Sequence, residues 1–436
     1  MKFIADFHIH SHFSRATAKN LDLEHLYVAA QLKGITVVAT GDITHPEWFK
    51  EVSEKMEPAE PGLYRLKKNI EKNCDKEVPL SCRSNVRFVL NSEISCIYNK
   101  KGKIRKNHNL VFFPDLAVAA SFNQKLSRIG NIVSDGRPIL GIDARNLLEM
   151  LLVTCDQAFL VPAHIWTPWF SLLGSKSGFD SFEDCFEDLS SHVFAVETGL
   201  SSNPVMNWRV SFLDGMTLMS NSDAHSPDKI GREANIFDTE LSYFAIKKAL
   251  QYKDFCTFLG TYEFYPEEGK YYFDGHRNCS VRFSPKMTLS YGGNCPVCNR
   301  PLTIGVLNRI EELSDRKEGE KPQNTSSFYS IIPLKEVISE ILKVGSGSKK
   351  VMFHYQRALR VLGSELAILN KINLSDIEMA GIPMLKEAVK RMREGNIHIV
   401  PGYDGEFGKI KIFTETERGL SYEFKKIFTE YRLSFY

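Results

Sequence analysis

Short apolar runs that each end in, or run directly into, a polar cluster set the tightest limit on how this chain folds. Residues 3–8, 36–40, 87–95, 109–113, 159–163, 195–198 and 217–220 read as strands, and amphipathic stretches such as 23–33 read as helices between them. That alternation predicts an α/β fold, a parallel layer or barrel, over roughly the first 260 residues. In such folds the carboxyl ends of the strands form the reactive face. The first run already has its polar end: "MKFIADFHIHSHFSRAT" sets His8 and His10 two apart, so an extended backbone turns both imidazoles to one side, where they can reach one ion.

Collected along the chain, the strand ends supply His8 and His10; Asp42 and His45 in "TGDITHP"; Glu93 in "NSEIS"; His108 in "KNHNLVFF"; His164 in "VPAHIWTP"; Glu197 in "VETGLS"; and Asp223 and His225 in "SNSDAHSP". Carboxylates and neutral imidazoles hold Zn²⁺, Mn²⁺ or Fe while leaving positions open for water and substrate. One strand-end histidine is more often a hydrogen-bonded structural residue. So many at successive strand ends read as a metal centre. Paired divalent ions activate water and clamp both the attacking and the leaving oxygen of a phosphoryl displacement, so phosphoester hydrolysis is the expected reaction. Ser14 and Arg15, just past the histidines, are candidate phosphate binders.

These motifs resemble the PHP (polymerase and histidinol phosphatase) superfamily. The resemblance covers about the first 230 residues and implies a distorted PHP-type (β/α)7 barrel with two or three divalent metals (Zn, Mn or Mg) at the strand ends. Matched residue by residue, it assigns His8, His10, Asp42, Glu93, His108, His164, Asp223 and His225 to the catalytic metal site, with Glu93 as bridging carboxylate. In the second motif the family has Asp and His adjacent. Here Ile43 and Thr44 intervene before His45, which leaves a third metal open. Glu197 matches no ligand position and is placed with the substrate-site residues, orienting an imidazole.

A small metallophosphatase could end near residue 260, but this chain runs to 436, enough for two or three domains. The expected division is 1–260, a metallohydrolase domain; 261–316, a zinc-binding segment; and 317–436, a mostly helical domain with a helix-hairpin-helix-like turn and a β hairpin over 397–413. The nine cysteines, an odd number after a start with no signal-peptide core, predict reduced thiols and a cytoplasmic location. No apolar run approaches the ~20 residues that span a bilayer, so no membrane partner is expected. His276-x-x-Cys279 and, fifteen residues on, Cys295-x-x-Cys298 have the spacing of one closed structural zinc.

A net charge of +2 confines any nucleic-acid surface to local patches. Three segments qualify. Gly345, Gly347 and Lys349 of "GSGSKK" join two helical stretches, as a turn that reads phosphates does, although glycines for close helix passage would look the same. Tyr403 and Phe407 sit on the glycine-rich "VPGYDGEFGKIKIF", and could stack on a base or pack within a hairpin. Trp166, Trp169, Phe170 and Lys176 follow His164 and could line a base pocket or be buried.

Over nearly its whole length the order of these parts, with "DGHRNC…CPVC", "LTIGVLNRIEELSDR", "GSGSKK" and "GYDGEFGKIKIF", resembles the endonuclease Q family. That resemblance implies a monomeric DNA repair endonuclease, with replication or repair factors as protein partners, that nicks on the 5′ side of deaminated bases (uracil, hypoxanthine, xanthine) and abasic sites. Two other classes compete. A PHP phosphatase acting on a nucleotide or other small ester would release phosphate from that ester alone. A non-catalytic binding protein would have lost some of the ligands, and none of the main set is replaced.

Overall fold

The computed structural model describes residues 1–417; the remainder of the expected helical domain, 418–436, lies outside the described residues. Lys2–Asp6 is buried along four of its five residues and lies parallel to Val37–Ala39 and antiparallel to Ala234–Asp238. Val37–Ala39 pairs parallel with Arg87–Lys100. There the direct expectation of a parallel layer fails. Lys101 and Gly102 both take positive φ, 52° and 77°, the two-residue turn that folds a strand straight back. Arg87–Lys100 and Lys103–Phe113 therefore form one long antiparallel hairpin, and Phe159–Pro162 adds antiparallel to its second arm.

Ala195–Glu197 and Thr217–Met219 make a separate parallel pair. Backbone bonds at the strand ends connect that pair on both sides. Ile165 N–H donates to Glu197 O at 3.1 Å, while His10 N–H to Ala224 O (3.1 Å) and Ala224 N–H to His8 O (3.2 Å) return to the first strand. The helix Leu23–Lys33 starts on Asp22, whose side chain accepts from His25 N–H, and stops at Gly34 in the left-handed region.

Ala234–Asp238 also pairs with Phe258–Glu263, and that strand takes Ser327–Ser330 parallel on its other side. The helices Leu334–Leu342, Lys349–Leu362 and Leu385–Arg393 turn apolar faces (Val337, Ile338, Val351, Leu359, Val389) into the same core as the first strands. A buried ion pair, Lys33 Nζ to Glu365 Oε2 at 2.7 Å, ties the first helix to this segment; Tyr355 O–H and Leu334 N–H also donate to Glu365. Val281, Phe283, Cys295 and Leu302 form a second, much smaller apolar cluster. No helix among the described residues is long and apolar enough to cross a membrane.

Candidate metal centre and the cleft beside it

Strand ends and the middle of the long hairpin deliver two trios of ligand atoms: His8, His10 and Asp223, and Glu93, His108 and His164, each trio within 4.8 Å, with Glu93 and His108 on the two hairpin arms. Glu93, on the long hairpin, faces both. Its Oε2 lies 3.5 Å from His8 Nε2 and 3.4 Å from His10 Nε2; its Oε1 lies 2.7 Å from His108 Nδ1 and 3.2 Å from His164 Nε2. Asp223 Oδ1 is 3.1 Å from His10 Nε2 and 3.6 Å from His8 Nε2. Half of these separations exceed good hydrogen bonds. They match the roughly 3.4 Å edge of a tetrahedron of donors about 2.1 Å from a shared ion.

His8 gives an independent sign. Its Nε2 is fully buried with no hydrogen-bond partner, while its Nδ1 lies 3.0 Å from both oxygens of Glu197. That bond puts the proton on Nδ1 and leaves the Nε2 lone pair facing the centre. Glu197 also accepts from His164 N–H at 2.8 Å and from the Asn221 amide at 2.9 Å. Asp42 (φ 45°), His164 (φ 30°) and Asp223 (φ 46°) all hold left-handed backbone, costly for residues with a Cβ and typical of functional sites.

The local field favours cations. Burial opposes a proton on His10, yet its bonds to Asp223 and Asp42 and the charges of Asp42 and Glu93 raise it to about 9. His8 is raised in the same way, with Glu197, Glu93 and Asp223 overcoming burial. Burial also works against ionisation of Glu93 and Asp223, but His108, Arg137 and His8 hold Glu93 low, and His8 and His10 hold Asp223 low. Burial drops His108 to about 4, leaving a neutral imidazole. Such a donor set fits divalent ions.

Several residues named from sequence stand elsewhere. Asp42 does not enter either trio: Oδ1 is 3.2 Å from His10 Nδ1, and Oδ2 accepts from Ser11 N–H, Ser11 Oγ and Ser14 Oγ, so it orients His10. His45 enters neither trio: its Nε2 is 2.8 Å from Val133 O and its ring stacks on Phe13. His225 borders the first trio, its Nδ1 2.9 Å from Asp223 O. Glu197 and Ser14 are buried on the protein's own groups, out of a substrate's reach, and exposed Arg15 pairs with Asp135. Trp166 is fully buried with its N–H on Asn207, and Tyr403 packs against Gly275; both are corrected from substrate contacts to packing. Trp169 and Lys176 are exposed.

Beside the centre opens a cleft of about 690 Å³. Three lining residues touch ligand residues: Thr167 Oγ1 is 3.2 Å from His164 Nδ1, the Phe170 ring sits 5.0 Å from that of His108, and Arg232 donates to Asp223 O. Trp169, Tyr271 and Phe407 add aromatic faces, and Lys229 and Lys270 add charge. Of these, Tyr271, Lys229, Arg232 and Lys270 carry no motif that sequence reading could have used. Arg137, 3.1 Å from Glu93 Oε2, was missed for the same reason.

His276, Cys279, Cys295 and Cys298 form a third group within 4.8 Å. Burial disfavours the Cys295 thiolate, but N–H groups of Cys298 and Val297 outweigh it and lower the thiol to about 6, ready for a metal. In the "GSGSKK" turn a Cβ on Gly345 or Gly347 would meet nothing within 4 Å, and neither has positive φ. Close helix passage therefore does not require these glycines.

The description of the MJ0043 C-terminal domain family matches residues 333–396. MJ0043 of Methanocaldococcus jannaschii is 35% identical over 254 residues, 56% of this chain; the match spans 31% of that relative's length. The uncharacterized protein YqxK of Bacillus subtilis is 30% identical over 430 residues, 94% of this chain and 99% of the relative. The crystal structure of the lesion-specific endonuclease PfuEndoQ from Pyrococcus furiosus superposes with a TM-score of 0.82 at 30% identity, over 95% of this chain and 96% of that one. Endonuclease Q in complex with a 27-mer duplex substrate carrying an abasic lesion at the active site gives a TM-score of 0.80 at 30% identity, over 95% and 98%. With identity and fold shared along almost its full length, this chain belongs to the endonuclease Q family.

Proposed function

We propose that this chain is a metal-dependent endodeoxyribonuclease that nicks DNA on the 5′ side of deaminated bases and abasic sites. One observation carries the reading: Glu93 turns one oxygen to each of two ligand trios, in a chain that follows endonuclease Q over 95% of its length. The strand-end bonds that link the ladders support reading residues 1–260 as a distorted PHP-type barrel, followed by the zinc segment 261–316 and a helical DNA-contacting part from 317. His8, His10 and Asp223 would hold one active-site ion, Glu93, His108 and His164 a second, and His276, Cys279, Cys295 and Cys298 a structural zinc.

Divalent ions bound there supply an activated water and neutralise charge on the phosphodiester. The rest falls to the protein. The cleft with Trp169, Phe170, Tyr271 and Phe407 offers faces on which an extruded nucleotide can stack, and a damaged or unpaired base costs least to unstack. The exposed Gly345 and Gly347, with Lys349, leave room for a phosphate backbone to approach main-chain N–H groups.

Duplexes with a single uracil, hypoxanthine or abasic site, incubated with Mn²⁺ beside undamaged duplex and a small phosphate ester, test the proposal. Nicking confined to the 5′ side of the lesion is expected. Phosphate released from the small ester with every duplex intact would replace the nuclease by the phosphatase.

A further inference from the structure

Arg137 lies in the loop Asp135-Gly136-Arg137-Pro138, and the surrounding structure fixes that loop firmly. Asp135 Oδ1 accepts from the N–H of Arg137 at 3.1 Å and from that of Arg15 at 3.3 Å. Gly136 N–H donates to Phe13 O at 3.0 Å, and Pro138 O accepts from Ser95 N–H at 3.0 Å. At Gly136 any Cβ would fall 2.2 Å from Asp42 Oδ2 and 2.5 Å from Ser14 Oγ, so only glycine lets the loop pass this close to the His10 support. The result is to hold one arginine over the bridging carboxylate.

Its guanidinium has a single hydrogen-bond partner among the described residues, Glu93 Oε2 at 3.1 Å, and 25% of the side chain is exposed. That oxygen already faces His8 Nε2 and His10 Nε2. A guanidinium and a divalent ion cannot both claim it without strong like-charge repulsion. Arginine offers five N–H donors in a planar fork that matches phosphate oxygens, and here four remain unused at the edge of the ligand cluster.

Resting on the nuclease reading above, we infer that Arg137 is a catalytic residue of the incision: with ions in the ligand trios its guanidinium leaves Glu93 and bonds a non-bridging oxygen of the scissile phosphodiester. No proton changes hands in this step. The arginine stabilises charge that builds on phosphorus-bound oxygen and at the same time gives up a contact that competes with metal.

These two roles have opposite signs in one experiment. Metal-stripped full-length chain, wild type and Arg137→Ala, is titrated with Mn²⁺ by calorimetry, and single-turnover incision of an abasic duplex is measured at saturating Mn²⁺. Arg137→Ala should bind Mn²⁺ as tightly as wild type or up to about tenfold tighter, yet incise about 100-fold more slowly. Arg137→Lys should recover part of that rate, since it keeps the charge and loses the fork. Arg137→Gln, of similar reach, guards against a folding defect and should behave as the alanine variant does. Mn²⁺ affinity falling in step with incision would mark an arginine that merely holds Glu93, and would overturn the inference. So would Arg137→Ala incising within about threefold of a competent wild type. A wild type inert on every lesion duplex would remove the nuclease reading and this inference with it.

Discussion

Glu197 shows how a buried side chain governs chemistry it never touches. Both its oxygens lie 3.0 Å from His8 Nδ1, so it selects the tautomer whose Nε2 faces the centre, and it also fixes the backbone of His164. Glu197→Gln keeps the shape but offers an N–H where an acceptor is needed. It should weaken Mn²⁺ binding by about 10- to 100-fold with unchanged circular dichroism; equal Mn²⁺ affinity would show that the contact is dispensable. The six residues that compose the trios are legible in short motifs: strand periodicity turns His8 and His10 to one side, and Glu93, His108, His164 and Asp223 stand in or beside apolar runs. Asp42 and His45 illustrate the limit. Their residue types suit a metal, but Ile43 and Thr44 change the turn, and one side chain ends on His10 while the other ends on Val133 O. Arg137 has no local signal at all, since its meaning depends on a loop docking onto residues more than a hundred positions away.

At the scale of single elements, the strand Phe258–Glu263 ends in a carboxyl that the fold keeps neutral. Burial first, and the nearby charge of Glu197 after it, raise Glu263 to about 8 against the pull of hydrogen bonds from Thr261, Thr198 and Ser220. An acid raised in the folded state contributes its full stability below its ordinary value of 4.5 and loses it as pH climbs through about 8. Glu263→Gln should therefore leave the melting temperature nearly unchanged at pH 5 and raise stability by roughly 1–3 kcal/mol at pH 8. A pH-independent difference between the two proteins would show that the carboxyl is ionised in both states. The strands themselves were largely legible, and the helix Leu23–Lys33 starts and stops where its Asp and Gly dictate. Strand direction was less so: the parallel expectation overlooked Lys101-Gly102, two residues whose backbone signs turn a crossover into a hairpin.

For the whole molecule, the decisive contact is the buried pair of Lys33 and Glu365, 6% and 3% exposed, which joins the first helix to the helical segment. Removing one partner strands the other charge in the interior. Glu365→Gln should cost about 3–5 kcal/mol in urea unfolding, while adding Lys33→Met to it, which removes the stranded ammonium and keeps an acceptor for Tyr355 O–H and Leu334 N–H, should recover most of that loss. If the single variant unfolds at the wild-type midpoint, the pair is not holding the segments together. The boundary expected at 316/317 suggests separable parts; yet Ser327–Ser330 completes a ladder of the main sheet, and long-range pairing of this kind leaves no trace in local pattern. Because the "GSGSKK" turn and the ligand trios thus hang from one continuous core, the protein is in effect a caliper of set width. If the turn grips a duplex as proposed above, that duplex would meet the scissors at one fixed number of nucleotides from the grip, whatever bases lie between.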